Sequence, residues 1–287
     1  MTTGPADNLG YTSQEIGARL GASTNAFDSD KPIGAREIAA IREAGITRIE
    51  VLSHLPPCHF KYRDRAQVSE IMRETKSQGV SIVSMHCPAL LFNSDDETVR
   101  KGAVEEGLVV ARVAEEMGAG LMVGHFGFDE HSEKTVTEML EGLEGSSLKL
   151  ADENVTGPDE DLANYVALVD RVGSDRFGMV VDVGHTRDPD GVNPFVKKDH
   201  ARGTLAQCGS RLIHLHLHDF TDKDHIVPLE GDLQWDEVFA ALRDVDYKGL
   251  FMFEARYPAA RAKHSPEYVL RKTAEFPDAF VRRYGVV

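Results

Sequence analysis

The sequence predicts a single-domain α/β protein, a closed (β/α)8 barrel. Three observations lead there. Short apolar runs alternate with amphipathic stretches, there are eight such pairs, and His, Asp or Glu residues close many of the runs. Runs this short and this rich in Val, Ile, Leu, Met and Phe read as buried parallel strands. A barrel of about 250 residues counts as one domain, so the 287-residue chain divides into a flexible N-terminal segment, 1–15, and a barrel, 16–287. An open doubly wound sheet is the weaker reading, because no G-x-G-x-x-G follows the first strand and no Walker motif occurs.

The elements follow in order. Leu20–Ala26 is the first expected strand, and Pro32–Ala44 the helix after it, with Ile38 and Ile41 one turn apart and Gly45 as its stop. Thr47–Leu52 is the second strand and Arg65–Ser77 its helix, ended at Gly79. Val80–Met85 precedes a long helix, Asp95–Met117, where Val104, Leu108, Ala111 and Ala114 fall at helical spacing. Gly120–Val123, Leu148–Asp152 and Gly178–Val181 are the next strands, followed by helices at Ser132–Leu143, Asp161–Val172 and Pro194–Gln207. Arg211–Leu217 with Trp235–Arg243, then Gly249–Phe253 with Pro266–Arg283, complete the set. The long loops follow strands two, three, six and seven. All of them lie on the face where parallel strands end and where loop length tracks recognition.

Composition narrows the function classes. The chain is 41% hydrophobic, and no apolar run approaches the length of a membrane span. Residues Met1–Gln14 lack a basic-then-apolar leader pattern, so a cytoplasmic location is expected. Cys58, Cys87 and Cys208 form no C-x-x-C pair and read as packing residues. A net charge of -15 argues against nucleic acid and against an anionic membrane as partner. A small-molecule partner remains, and homo-oligomerisation stays open.

The chemistry sits where the strands end. His86 closes Val-Ser-Met-His, His125 closes Leu-Met-Val-Gly-His, and Glu153 follows Leu-Lys-Leu-Ala-Asp. Asp182 and His185 stand in Val-Val-Asp-Val-Gly-His, where Gly184 is expected to permit a turn. Glu254 follows Leu-Phe-Met-Phe. His214, His216 and His218 alternate along one strand and so share a face. His216 is the expected ligand, His214 being deeper and His218 nearer the loop. Three carboxylates, Glu153, Asp182 and Glu254, around one barrel mouth repel one another unless a cation joins them, and a divalent metal is the simplest answer. Imidazole with carboxylate and no thiolate suits Mn, Co, Mg or Zn. The carboxylate-rich set leans to a five- or six-coordinate ion such as Mn or Mg. No organic cofactor is indicated. His225 sits in a loop where it can cap the site, and Arg256 can meet an anionic substrate group or stay solvated. His54, His59, His131, His200 and His264 carry no pattern.

These motifs resemble the xylose-isomerase-like superfamily of TIM barrels, which holds sugar isomerases and epimerases together with abasic-site endonucleases. The similarity runs from about Ile16 to Phe280. Glu153-Asn154 with Gly157 resembles its Glu-Asn-x-x-Gly, Asp182 to His185 its Asp-x-x-His, and His216 to Asp219 its His-Leu-Lys-Asp. The segment from His225 to Trp235 and the last-strand Glu254 also match. The resemblance implies that Glu153, Asp182, His216 and Glu254 hold one divalent metal. It implies too that Glu153 and Glu254 exchange protons with the substrate and that His185 contacts the sugar. His86, His125 and His225 match residues that bind additional zinc in the nuclease branch, and here they are taken as substrate-binding. Lys223 stands where that branch has Asp, although Asp222 and Asp224 flank it, and Ala89 stands where it has Tyr, so the nuclease reading is weaker. The expected function is a metal-dependent sugar isomerase or epimerase that abstracts a proton beside a carbonyl through a metal-stabilised enediolate. A lyase or dehydratase on a keto-sugar, an abasic-site phosphodiesterase and a non-catalytic metal-binding barrel are the alternatives.

Overall fold

The computed structural model describes residues 10–28, 31–53, 60–157, 161–256 and 265–286. Its centre is a closed barrel in which each strand pairs with the next in sequence and the last returns to the first, all in parallel. The strands are β1 (Leu20–Ser23), β2 (Arg48–Leu52), β3 (Ser81–His86), β4 (Leu121–Gly124), β5 (Lys149–Glu153), β6 (Phe177–Asp182), β7 (Leu212–Leu217) and β8 (Phe251–Phe253). Among the described residues the helices are α1 (Ser13–Arg19), α2 (Ala35–Glu43), α3 (Arg65–Gln78), α4 (Glu97–Glu116), α5 (Glu130–Gly142), α6 (Leu162–Val172), α7 (Ala201–Ala206), α8 (Trp235–Asp244) and α9 (Pro266–Tyr284). None of them is long and apolar enough to cross a membrane.

Local chemistry explains the borders. Asp64, Asp96, Asp129 and Asp161 cap α3 to α6, each accepting a backbone N–H that the first helical turn leaves unpaired. Beneath β8, Trp235, Phe239, Phe253, Phe276 and Phe280 form a continuous aromatic cluster that holds α8 and α9 against the barrel. Cys87 and Cys208 are buried free thiols, in keeping with packing roles, and Cys58 lies outside the described residues.

Several expected borders are corrected. Within the expected N-terminal segment a helix starts at Ser13, where Thr12 and Glu15 form a reciprocal capping box and α1 packs against α9. The first strand stops at Ser23, whose hydroxyl accepts from the Asn25 backbone N–H and starts a short 3-10 turn, Thr24–Ala26. The helix expected over Pro194–Gln207 is broken in two, a 3-10 turn at Pro194–Val196 and then α7. Asp199 between them takes a φ of 64°, which no right-handed helix tolerates.

Candidate active site

The strand register brings the polar strand ends to one mouth. Asp182 on β6 lies opposite His216 on β7, and Glu254 directly follows β8 beside it. His86 ends β3, Glu153 ends β5, and His125 follows β4. His86, Glu153, Asp182, His216, His225 and Glu254 are buried, while the His125 side chain is 34% exposed and leaves one edge of the site open.

His216 is the hub. Its Nδ1 lies 2.8 Å from Glu153 Oε1 and 3.0 Å from Glu254 Oε2. Glu153, Asp182, His216 and Glu254 each offer one ligand atom, and the four atoms lie within 4.8 Å of one another. Donors to the remaining oxygens fix both glutamates. Glu153 Oε2 meets His86 Nε2 at 2.8 Å and His125 Nε2 at 3.0 Å, while Asn25 Nδ2 donates to Glu254 Oε1 at 2.8 Å. Each carboxylate therefore has one oxygen held and the other turned to the centre.

Asp182 is fixed just as firmly. One of its oxygens accepts from the backbone N–H groups of Gly184 and His185, and His218 Nε2 lies 2.9 Å and 3.0 Å from the two oxygens. The His225 backbone N–H donates to His218 Nδ1 at 2.8 Å, with the Asp219 carbonyl 3.0 Å from the same nitrogen, and this backbone donor favours the tautomer whose Nε2–H faces Asp182. His218 stacks on His225, ring centres 4.2 Å apart. The His225 residue takes a φ of 56°, and neither of its ring nitrogens makes a hydrogen bond among the described residues. Its Nδ1 is 3.1 Å from Asp224 and its Nε2 3.7 Å from Glu254.

His185 joins the same side. Its Nδ1 lies 3.7 Å from both Glu153 and Asp182, and its Nε2 is 3.4 Å from Asp224. Arg256 donates its backbone N–H to the His225 carbonyl, and its Nε is buried without a hydrogen-bond partner among the described residues. Of the histidines read as unpatterned, His131 and His200 lie away from this cluster, and His54, His59 and His264 fall outside the described residues.

The electrostatics follow from this packing. Burial pushes the Glu153 and Glu254 carboxyls up, but His216 and the other imidazoles outweigh it and hold both well below the usual range. Asp182 is lowered to about 2, burial being outweighed by His185, His218 and His225. For His216 burial favours the neutral ring, yet Glu153, Glu50 and Glu254 overcome it and raise its pKa well above 6.5. His185 rises to about 10 against burial, through Asp182, Asp224 and Glu153. Without a cation, the imidazoles themselves neutralise the carboxylates. A divalent ion fits this donor set: four clustered ligand atoms, oriented carboxylates, and a buried His225 ring whose nitrogens make ion pairs but no hydrogen bond among the described residues.

A family profile described as a xylose isomerase-like TIM barrel matches residues 38–276. The chain belongs to this family. MJ1311, an uncharacterised protein of Methanocaldococcus jannaschii, is 25% identical over 225 residues, 70% of each chain. The D-psicose 3-epimerase of Enterocloster bolteae is 29% identical over 89 residues, 31% of this chain and 26% of that one. Among solved structures, a D-psicose 3-epimerase studied with D-fructose superposes with a TM-score of 0.72 at 15% identity, covering 94% of this chain and all of the other. The IolI protein with a bound zinc atom superposes with a TM-score of 0.74 at 16% identity, covering 93% and 99%. At such identities the superpositions establish the (β/α)8 barrel fold.

The chain turns at residues 183–185 as expected, and it does so without a positive φ at Gly184, so the demand for glycine there comes from space. Any Cβ there would stand 2.0 Å from His218 Cε1. Gly184→Ala is therefore expected to destabilise the protein by about 3 kcal/mol and to lower Tm by about 6–12 °C, because His218 is pinned by Asp182, His225 and its stack. Gly203→Ala, in open space on α7, is expected to be neutral or slightly stabilising. Equal melting of the two variants would refute the packing argument. In the β7 loop Asp224, which follows Lys223, lies 3.4 Å from His185 Nε2 and 3.1 Å from His225 Nδ1.

Proposed function

We propose that this chain is a divalent-metal-dependent sugar epimerase or isomerase that abstracts a proton from the carbon beside a carbonyl. The observation that carries the reading is the pair Glu153 and Glu254. They come from the ends of β5 and β8, and each brings one oxygen to within 3.0 Å of the same imidazole nitrogen. Sequence kinship with a D-psicose 3-epimerase supports the same substrate class.

Glu153, Asp182, His216 and Glu254 would hold the ion, which supplies Lewis-acid polarisation of the substrate's carbonyl and adjacent hydroxyl. One glutamate takes the carbon-bound proton. The other returns a proton on the opposite face for epimerisation, or to the neighbouring carbon for aldose–ketose isomerisation. His86 and His125 hold Glu153 and Asn25 holds Glu254, so neither base has to be ordered by the substrate. His185 and His225 orient hydroxyls on the β6–β7 side, and Arg256 faces the same region. Metal-loaded protein incubated with D-psicose, D-fructose and L-ribulose in deuterated water is expected to incorporate deuterium next to the carbonyl. The absence of exchange across a broad ketose panel would sink this reading.

A second reading has its own support. His86–Glu153–His216 and His185–Asp224–His225 are each compact enough to hold a further ion, as a multi-metal phosphodiesterase would require. Cleavage of an abasic duplex together with more than one bound metal per chain would favour it, and a single metal would exclude it.

A further inference from the structure

Inside the barrel, one layer beneath the site, lies a second carboxylate. Glu50 stands in the middle of β2, fully buried, in register with Ser84 of β3. One of its oxygens is anchored. Ser84 Oγ donates to Oε2 at 2.7 Å, and His214 Nε2 lies 3.3 Å from the same atom. The other oxygen, Oε1, has no hydrogen-bond partner among the described residues, yet it lies 2.9 Å from His216 Nε2. That nitrogen is itself buried, makes no hydrogen bond among the described residues and has Glu50 as its ion-pair partner. A carboxylate in an apolar barrel is costly unless it meets a donor or a positive charge, and His216 is what Oε1 faces.

The two edges of the His216 ring therefore look at different things. Nδ1 looks at the inward oxygens of Glu153 and Glu254, and Nε2 looks at Glu50. A neutral imidazole has one N–H, and the acceptor beside one nitrogen decides which nitrogen keeps a bare lone pair. We propose that Glu50 is a positioning residue, accepting the Nε2 proton of His216 so that the Nδ1 lone pair is turned toward Glu153, Asp182 and Glu254. The arrangement is a carboxylate–histidine pair of the kind that fixes ring orientation and raises ligand basicity. Ser84 and His214 keep the carboxylate from turning away. The inference rests on the metal reading of the four mouth residues.

The test titrates metal-free wild type, E50Q and E50L with Co(II), reading visible absorption for geometry and a competing chelator for affinity. Circular dichroism of the metal-free proteins checks folding. E50L is expected to bind Co(II) about 10–100-fold more weakly with a changed visible spectrum. E50Q, whose amide oxygen still accepts the proton, is expected to lie in between. If both variants fold and bind within about twofold of wild type with an unaltered spectrum, the proposal is overturned. If E50L does not fold, E50Q decides alone by the same two readouts. Loss of one whole metal equivalent, with the rest bound as in wild type, would also overturn it, because Glu50 would then be a ligand of a separate ion. A wild type that binds no Co(II) removes the metal reading and this inference together, whereas normal wild-type binding with indifferent variants removes this inference alone.

Discussion

Glu254→Gln is expected to lower turnover by about two to four orders of magnitude, with catalysis lost from one epimeric face first. The glutamine keeps the shape of the side chain and can still take the Asn25 bond, but it cannot accept a proton from carbon. Glu153→Gln is expected to lose a comparable factor in rate and more in metal affinity and stability. Three imidazoles lie within 3.0 Å of the Glu153 carboxylate, and an amide leaves that cluster without its anion. The informative measurement is deuterium wash-in from each epimer separately, at saturating metal. With two bases on opposite faces, each variant keeps exchange from one epimer and loses it from the other. If either substitution abolishes exchange from both epimers while metal stays bound, a single base serves both directions and the two-base assignment is wrong.

The asymmetry between these carboxylates shows what a sequence can carry. Both stand at the ends of apolar runs, and a charged group at the end of a buried parallel strand signals a site because strands of one barrel end together. The convergence of Glu153, Asp182, His216 and Glu254 is legible for that reason. The rule of two along a strand also holds, since His214, His216 and His218 are all buried. Their roles were less legible. His214 serves Glu50, His216 faces the centre and His218 faces Asp182, and those differences depend on partners from β2, β6 and the β7 loop.

Other features were hidden for identifiable reasons. Glu50 and Asn25 fall in the middle of β2 and in a turn after β1, not at strand ends, so an end-of-strand search passes over them. A lone carboxylate inside Ile-Glu-Val-Leu was the available signal for Glu50, as such a group is rarely buried without purpose. In the β7 loop the two acids flanking Lys223, Asp222 and Asp224, are visible in the sequence, but which of them meets the imidazoles is not. The positive φ of His225 changes how the loop turns, and it is Asp224 that ends beside the imidazoles. The turn at Gly184 is legible in the sequence, but the reason it must be glycine, the His218 ring from another segment, is not. In each case the missing information was a tertiary neighbour.

Metal uptake is expected to release at least one proton near neutral pH, with apparent affinity falling about tenfold per pH unit on acidification. The carboxylates cannot be the source, since Asp182 is lowered to about 2 and Glu153 and Glu254 lie well below their usual range. The imidazoles can. In the metal-free protein His216 is raised well above 6.5, and it must present a bare nitrogen to bind a cation, so proton and metal compete for it. The same groups set opposite trends in stability. His185 is raised to about 10 when folded, against about 6.5 unfolded, so its contribution is complete below the unfolded value and is lost as pH rises through about 10. Asp182 contributes above about 4 and loses that contribution as pH falls through about 2. Metal-free protein should therefore melt highest between about pH 4 and 6.5, and the stabilisation conferred by metal should grow as pH rises above that window. Calorimetric titration in buffers of different ionisation heat counts the protons, and melting curves with and without metal follow the divergence. Metal binding that releases no proton and keeps a flat affinity from about pH 6 to 8 would show that His216 is not the group the cation displaces, and the assignment of the ligand set would fall with it.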